Sequence, residues 1–151
     1  MSFITLAQAK FHCRITDTDS DADLTIKISA AERAAIEYMQ CEVYADQITL
    51  DAAIAAVPAA LSAAKAAYIL ADAAADLIED ADLSLNGKAN ALDVYMRAVY
   101  SAVRVRNGIV INDLVISAML LILSWLYEVR EDGEPIPNAA RDLLHHFRSY
   151  G

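Results

Sequence analysis

Glycine is scarce in this chain: four residues of 151, widely separated. A phosphate-binding loop needs clustered glycines so that backbone N–H groups can approach the anion, and no such cluster exists. A Gly-x-Ser-x-Gly elbow is missing as well, and so is Cys-x-x-Cys. The two cysteines, Cys13 and Cys41, are too few for a disulfide framework. They read as small buried apolar residues in a reducing compartment. Basic side chains are in deficit, 12 against 21 acidic ones, for a net charge of −9. Residues 42–101 hold nine of the acidic and three of the basic residues. An acidic protein repels a phosphate backbone, which disfavours tight nucleic-acid binding while leaving passage of DNA without sticking compatible. The most apolar stretch, Leu114 to Tyr127, has 14 residues without a charge, whereas a membrane span needs about 18–20. It reads as a core helix, and no basic stretch followed by an apolar run marks a secretory signal.

The reactive residues that are present do not assemble into a site. Asp17, Asp19, Asp21 and Asp23 imitate the start of a calcium loop, but Ala22 replaces the turn glycine and Ile28 stands where the bidentate glutamate belongs. They read as a solvated acidic helix cap. His145 and His146 are adjacent and point in different directions on a helix, as do His12 and Cys13, whereas zinc ligands need a helical turn between them or a second pair elsewhere. Carboxylates such as Glu79 and Asp80 sit in solvated charge runs. Nothing combines a nucleophile, a base and an oxyanion hole, so the expectation is a protein without catalysis, metal or cofactor.

What is present is helical periodicity in a chain of one-domain size. The fold class expected is mainly α, a multi-helix bundle. Thr5 caps a first helix that stops near Arg14. Ser20 starts a second, with Leu24, Ile28, Ala31, Ala35 and Tyr38 at helical spacing as far as about Cys41. Ile48-Thr49-Leu50 opens another, and Pro58 is expected in the first turn of a new one. From Ala52 to Ala75, 14 of 24 residues are alanine. Within this stretch Leu61, Ala64, Tyr68, Ala71 and Ala75 follow a 3-4 spacing that forms a packing seam. The seam is either an intramolecular core or a contact buried between subunits. Residues 80–90 read as a loop turning at Asn86-Gly87. Ala91 to Ala102 reads as a helix with Leu92, Tyr95, Met96 and Val99 on one face. Asn107-Gly108 between β-branched residues predicts a short β-hairpin over 103–111, or else an extended loop. Asn112 or Asp113 caps the apolar helix, Gly133 and Pro135 break the chain, and Pro137 begins a last amphipathic helix with Leu143, Leu144 and Phe147 inward.

Two blocks carry a family resemblance. The first is Thr5-Leu6-x-x-Ala9-Lys10-x-His12-x-Arg14-Ile15, then the acidic run, then Leu24, Ile28, Ala30-Ala31 and Ile36-Glu37-Tyr38. The second is Ala118-Met119-Leu120-Leu121-x-Leu123-x-Trp125-x-Tyr127-Glu128-x-Arg130-Glu131, then Pro137, Leu143-Leu144 and Arg148. In this order the blocks resemble the head–tail connector, or head-completion adaptor, family of long-tailed phages and gene transfer particles. Cys13 stands where that family usually has leucine, and residues 42–113 look like an elaborated middle region of one connector domain. The resemblance implies a non-catalytic helical protomer in the virion neck, made in the bacterial host cytoplasm. Twelve copies would form a ring beneath the portal protein, extend the DNA channel and offer a surface to a stopper or tail-completion protein. Arg141, Phe147, Arg148 and Tyr150 suit a docking tail, since Tyr and Arg are favoured interface anchors; they also suit a partly packed final helix. The competing classes are another neck or tail-completion protein, a small helical enzyme and a regulatory helical binder.

Overall fold

The computed structural model describes residues 2–128 and 136–149. Its described elements run α1 (Leu6–Cys13), α2 (Asp21–Met39), β1 (Val43–Tyr44), α3 (Gln47–Asp76), α4 (Ala81–Arg106), β2 (Ile109–Val110), α5 (Asp113–Glu128) and α6 (Asn138–His145). This is a mainly α bundle with one two-stranded ribbon, as composition and periodicity predict.

The core forms where the apolar stripes meet. Thr5 caps α1 through a reciprocal pair: its hydroxyl accepts the Gln8 N–H, and the Gln8 side chain accepts the Thr5 N–H at 2.9 Å. Arg14 ends the helix in the left-handed region, at φ 56°. Ser20 precedes α2 without a side-chain cap, and Asp21 and Asp23 in the first turn complement the helix dipole. Leu24, Ile28, Ala31, Ala35 and Met39 of α2 are buried against Val115, Ala118, Met119, Ile122 and Leu123 of α5. Asn112 caps α5, its Oδ1 accepting the Leu114 and Val115 N–H groups. Leu144 of α6 closes the core, with Leu143 and Phe147 packed partly against it. Gly133 and Pro135 lie outside the described residues.

The middle region departs from the sequence reading in four places. Pro58 lies inside the 30-residue α3 instead of opening a helix. An internal proline costs about 3 kcal/mol, but each alanine is a few tenths better than an ordinary residue, so the fourteen nearby offset it. Residues 80–90 form no loop. Asp80 caps α4 by accepting the Asp82 and Leu83 N–H groups, and Asn86-Gly87 falls within the helix. The predicted hairpin over 103–111 is absent. Helix α4 runs to Arg106, Asn107 caps it at φ −88°, and no glycine among the described residues has positive φ. Ile109–Val110 instead pairs in parallel with Val43–Tyr44. Gly108 is needed for close approach, since a Cβ there would lie 2.7 Å from the Tyr44 ring. Finally, Leu92 and Met96 are exposed. The face of α4 turned to α3 carries Ser84, Gly87, Ala91, Tyr95, Ala98 and Ala102. Helices that approach closely select small residues, and hydrophobicity alone picks the wrong stripe.

Helices α3 and α4 therefore form an antiparallel hairpin arm, packed on each other and, at the arm's base, on β1 and β2. Tyr68 stacks on Tyr95 with ring centroids 5.5 Å apart, and Lys88 pairs with Asp76 at 2.5 Å.

Candidate interaction surfaces

Three groups of side chains fix how the core presents itself. The first surrounds Glu32, a buried carboxylate on α2. Its Oε1 accepts the Ser2 hydroxyl at 2.7 Å and the Phe3 and Ile4 N–H groups at 2.7 and 2.9 Å. These bonds satisfy the charge and pin the N-terminal segment to the bundle. The second centres on Arg104 near the end of α4. Its Nη1 donates to both Glu37 oxygens at 3.1 and 3.0 Å. Its Nε lies 3.2 Å from Glu42 Oε1, out of line for a hydrogen bond. Burial works against the Arg104 charge, but Glu37 and Glu42 outweigh it and hold the guanidinium above its ordinary pKa. Arg104 thus ties the base of the arm to α2, and together with Phe3 and Glu32 it lines an open cleft of about 430 Å³. Sequence reasoning missed both residues. Glu32 did carry a signal, an acid four residues from both Ile28 and Ile36.

The third group is the chain's C-terminal segment. The Arg148 guanidinium lies 5.1 Å from the Tyr38 ring centroid. The Ser149 N–H donates to the Met39 carbonyl at 2.9 Å, and Asn107 Nδ2 donates to the Ser149 hydroxyl at 2.5 Å. Cys41 donates weakly to the Phe147 carbonyl. Phe147 and Arg148 are thus brought together over the end of α2, while Arg141 sits half-buried on α6. Tyr150 lies outside the described residues.

The alanine seam faces α4 of the same chain. Ala75 is buried, Leu61, Ala64 and Tyr68 are half-buried, and Ala71 lies exposed on the rim. Burial pushes the Cys13 and Cys41 thiols above their ordinary pKa, so both are protonated at neutral pH. In the acidic run, Asp21 is taken up by Lys10 at 2.7 Å. No group of three or more His, Cys, Asp or Glu among the described residues is placed to hold a metal.

These contacts define a helical protein whose arm and whose segments around Phe3 and Ser149 are tied to one bundle. Residues 3–86 match the family model of phage gp6-like head-tail connector proteins. The chain belongs to that family and is a connector of the phage head–tail junction. No curated protein and no solved structure matches it. The match takes in the N-terminal block and continues through α3 into α4, so the first part of the middle region follows the family pattern. The block from residue 114 onward lies beyond it.

Proposed function

We propose that this chain is the adaptor that assembles as a ring beneath the portal, extends the DNA channel and offers a docking surface to the next neck or tail protein. Family membership over residues 3–86 carries this reading. The net charge of −9 supports it, because a conduit must not grip phosphates. On this reading the whole chain is one connector domain, the ring holds twelve copies, and neither catalysis nor a cofactor is involved. Arg141, Phe147 and Arg148, with Tyr150, form the surface offered to the portal.

The experiment mixes the purified chain with its portal and images the product by negative stain. A ring seated on the portal is expected, and no binding with no ring would defeat the reading. The variant Arg148→Glu should weaken docking while leaving the helical spectrum unchanged. Undiminished docking would remove Arg148 from the surface.

A further inference from the structure

The arm is the least covered part of the molecule. Of the fifteen exposed large apolar side chains among the described residues, twelve lie between Ile48 and Tyr100. They are not scattered. One flank of the hairpin is a groove of two adjoining hollows, about 250 and 370 Å³, sharing Ala98. Small residues dominate its lining, among them Ala56, Ala60, Ala67, Gly87, Ala98 and Ser101, with Tyr68, Val94 and Tyr95 in one hollow and Val57 and Val105 in the other. The opposite flank is a ridge. Leu85, Leu92, Met96, Val99 and Val103 recur on α4 at a spacing that places them about 100° from the α3-facing stripe, on the side away from the groove. Leu85, Leu92 and Met96 are exposed.

We infer that the ridge of one copy seats in the alanine groove of the next, so that the arm is the subunit contact of the ring. Three observations favour a second copy as the occupant. A row of large apolar residues on one flank answers a hollow lined mostly by alanine on the other, as ridge and groove packing requires. The two surfaces differ, so the contact is heterologous, and a heterologous contact closes into a ring when its rotation closes, where a self-complementary one stops at a dimer. A 30-residue arm is ~45 Å long and two helices wide, or ~900 Å² per face, which matches the ~800 Å² per partner of a stable interface. Helix α3 is also long and apolar enough to cross a membrane, which makes a bilayer the rival occupant.

The inference rests on the ring reading, and its test separates the two. Ala67→Glu charges the groove and Leu92→Glu charges the ridge. Both residues are exposed, so circular dichroism should match the wild type. Native mass spectrometry should show wild-type oligomers and at least about tenfold weaker self-association for each variant. Mixed together, the variants should form dimers and nothing larger, because each keeps one intact flank. Should either charged variant misfold, Ala67→Cys and Leu92→Cys serve instead: mild oxidation of their mixture should link the two variants to each other in preference to like pairs. Variants that assemble as the wild type does, on a portal that wild type also binds, would overturn the arm contact and leave the connector reading standing. Wild type that pellets with phosphatidylglycerol–phosphatidylethanolamine vesicles without self-associating would assign the face to a bilayer and overturn the inference.

Discussion

Gly87 sits where α4 closely approaches α3, and replacing it by alanine sets two effects of opposite sign against each other. Alanine is better than glycine in a helix interior by about 0.8–1.0 kcal/mol. A Cβ at position 87, however, would lie 3.0 Å from the Ala75 Cβ and 3.8 Å from its Cα. Neither contact atom is the end of a flexible chain, so the helices themselves must separate. Overpacking of this kind costs about 1–3 kcal/mol. Crowding should prevail, making Gly87→Ala destabilising by up to about 2 kcal/mol. For a chain of this length each kcal/mol lowers Tm by about 2–4 °C. Far-UV circular dichroism during thermal and urea unfolding reads this directly, because the arm holds much of the helix. The decisive measurement is a double-mutant cycle with Ala75→Gly. Moving the one methyl from position 75 to 87 relieves the clash, so the double variant should be more stable than the sum of the singles by at least about 1 kcal/mol. Stabilisation by Gly87→Ala whatever residue occupies position 75 would refute the close-packed crossing.

Replacing Glu32 by alanine leaves the Phe3 and Ile4 N–H groups without their acceptor. It should cost about 2–3 kcal/mol and expose the N-terminal segment to limited proteolysis; unchanged stability and cleavage would show that the carboxylate does not pin it. In the native state Cys41, fully buried, should resist a thiol reagent that reaches half-buried Cys13 first, with both reacting on unfolding; equal native rates would contradict the burial. Asp46 caps α3, and hydrogen bonds from the Thr49 backbone and side chain hold its carboxyl below the usual value. Its contribution is therefore present above the unfolded carboxyl pKa and is lost as pH falls through the lower folded one. An Asp46→Asn variant keeps the cap and should flatten this acid-side loss; an unaltered pH profile would assign the loss to other carboxylates.

The outer parts of the fold were legible because each has a local cause. Thr5, Arg14, Asn112 and the stripe from Leu24 to Ala35 behave as their caps and periodicity demand. The helices of the arm and its alanine seam were legible too, but the joints between them were not, for a shared reason. Pro58, Asn86-Gly87 and Asn107-Gly108 are turn signals, and a turn signal reports what a residue tolerates. Gly87 and Gly108 are there for proximity instead, one to Ala75 and one to the Tyr44 ring. Proximity belongs to tertiary structure and leaves no pattern in a window of neighbours. The candidate surfaces divide in the same way. Arg148 and Phe147 could be named from residue type, whereas their placement over Tyr38 and Cys41 needed the fold.

An arm made of alanine also has consequences for where its stability comes from. An alanine side chain buries little area, so the α3–α4 contact gains little from the hydrophobic effect, which scales with apolar area removed from water. The Tyr68–Tyr95 stack adds about 0.5–1.5 kcal/mol, and the exposed Lys88–Asp76 pair adds little. The remaining support is helix propensity, which needs no partner. Propensity keeps the arm helical while leaving its large side chains, Leu85 and Leu92 among them, uncovered. Their burial is then a free energy still to be gained by contact beyond the described residues. In a core of leucine that gain would already be spent within the protomer, leaving a stable arm with little reason to associate.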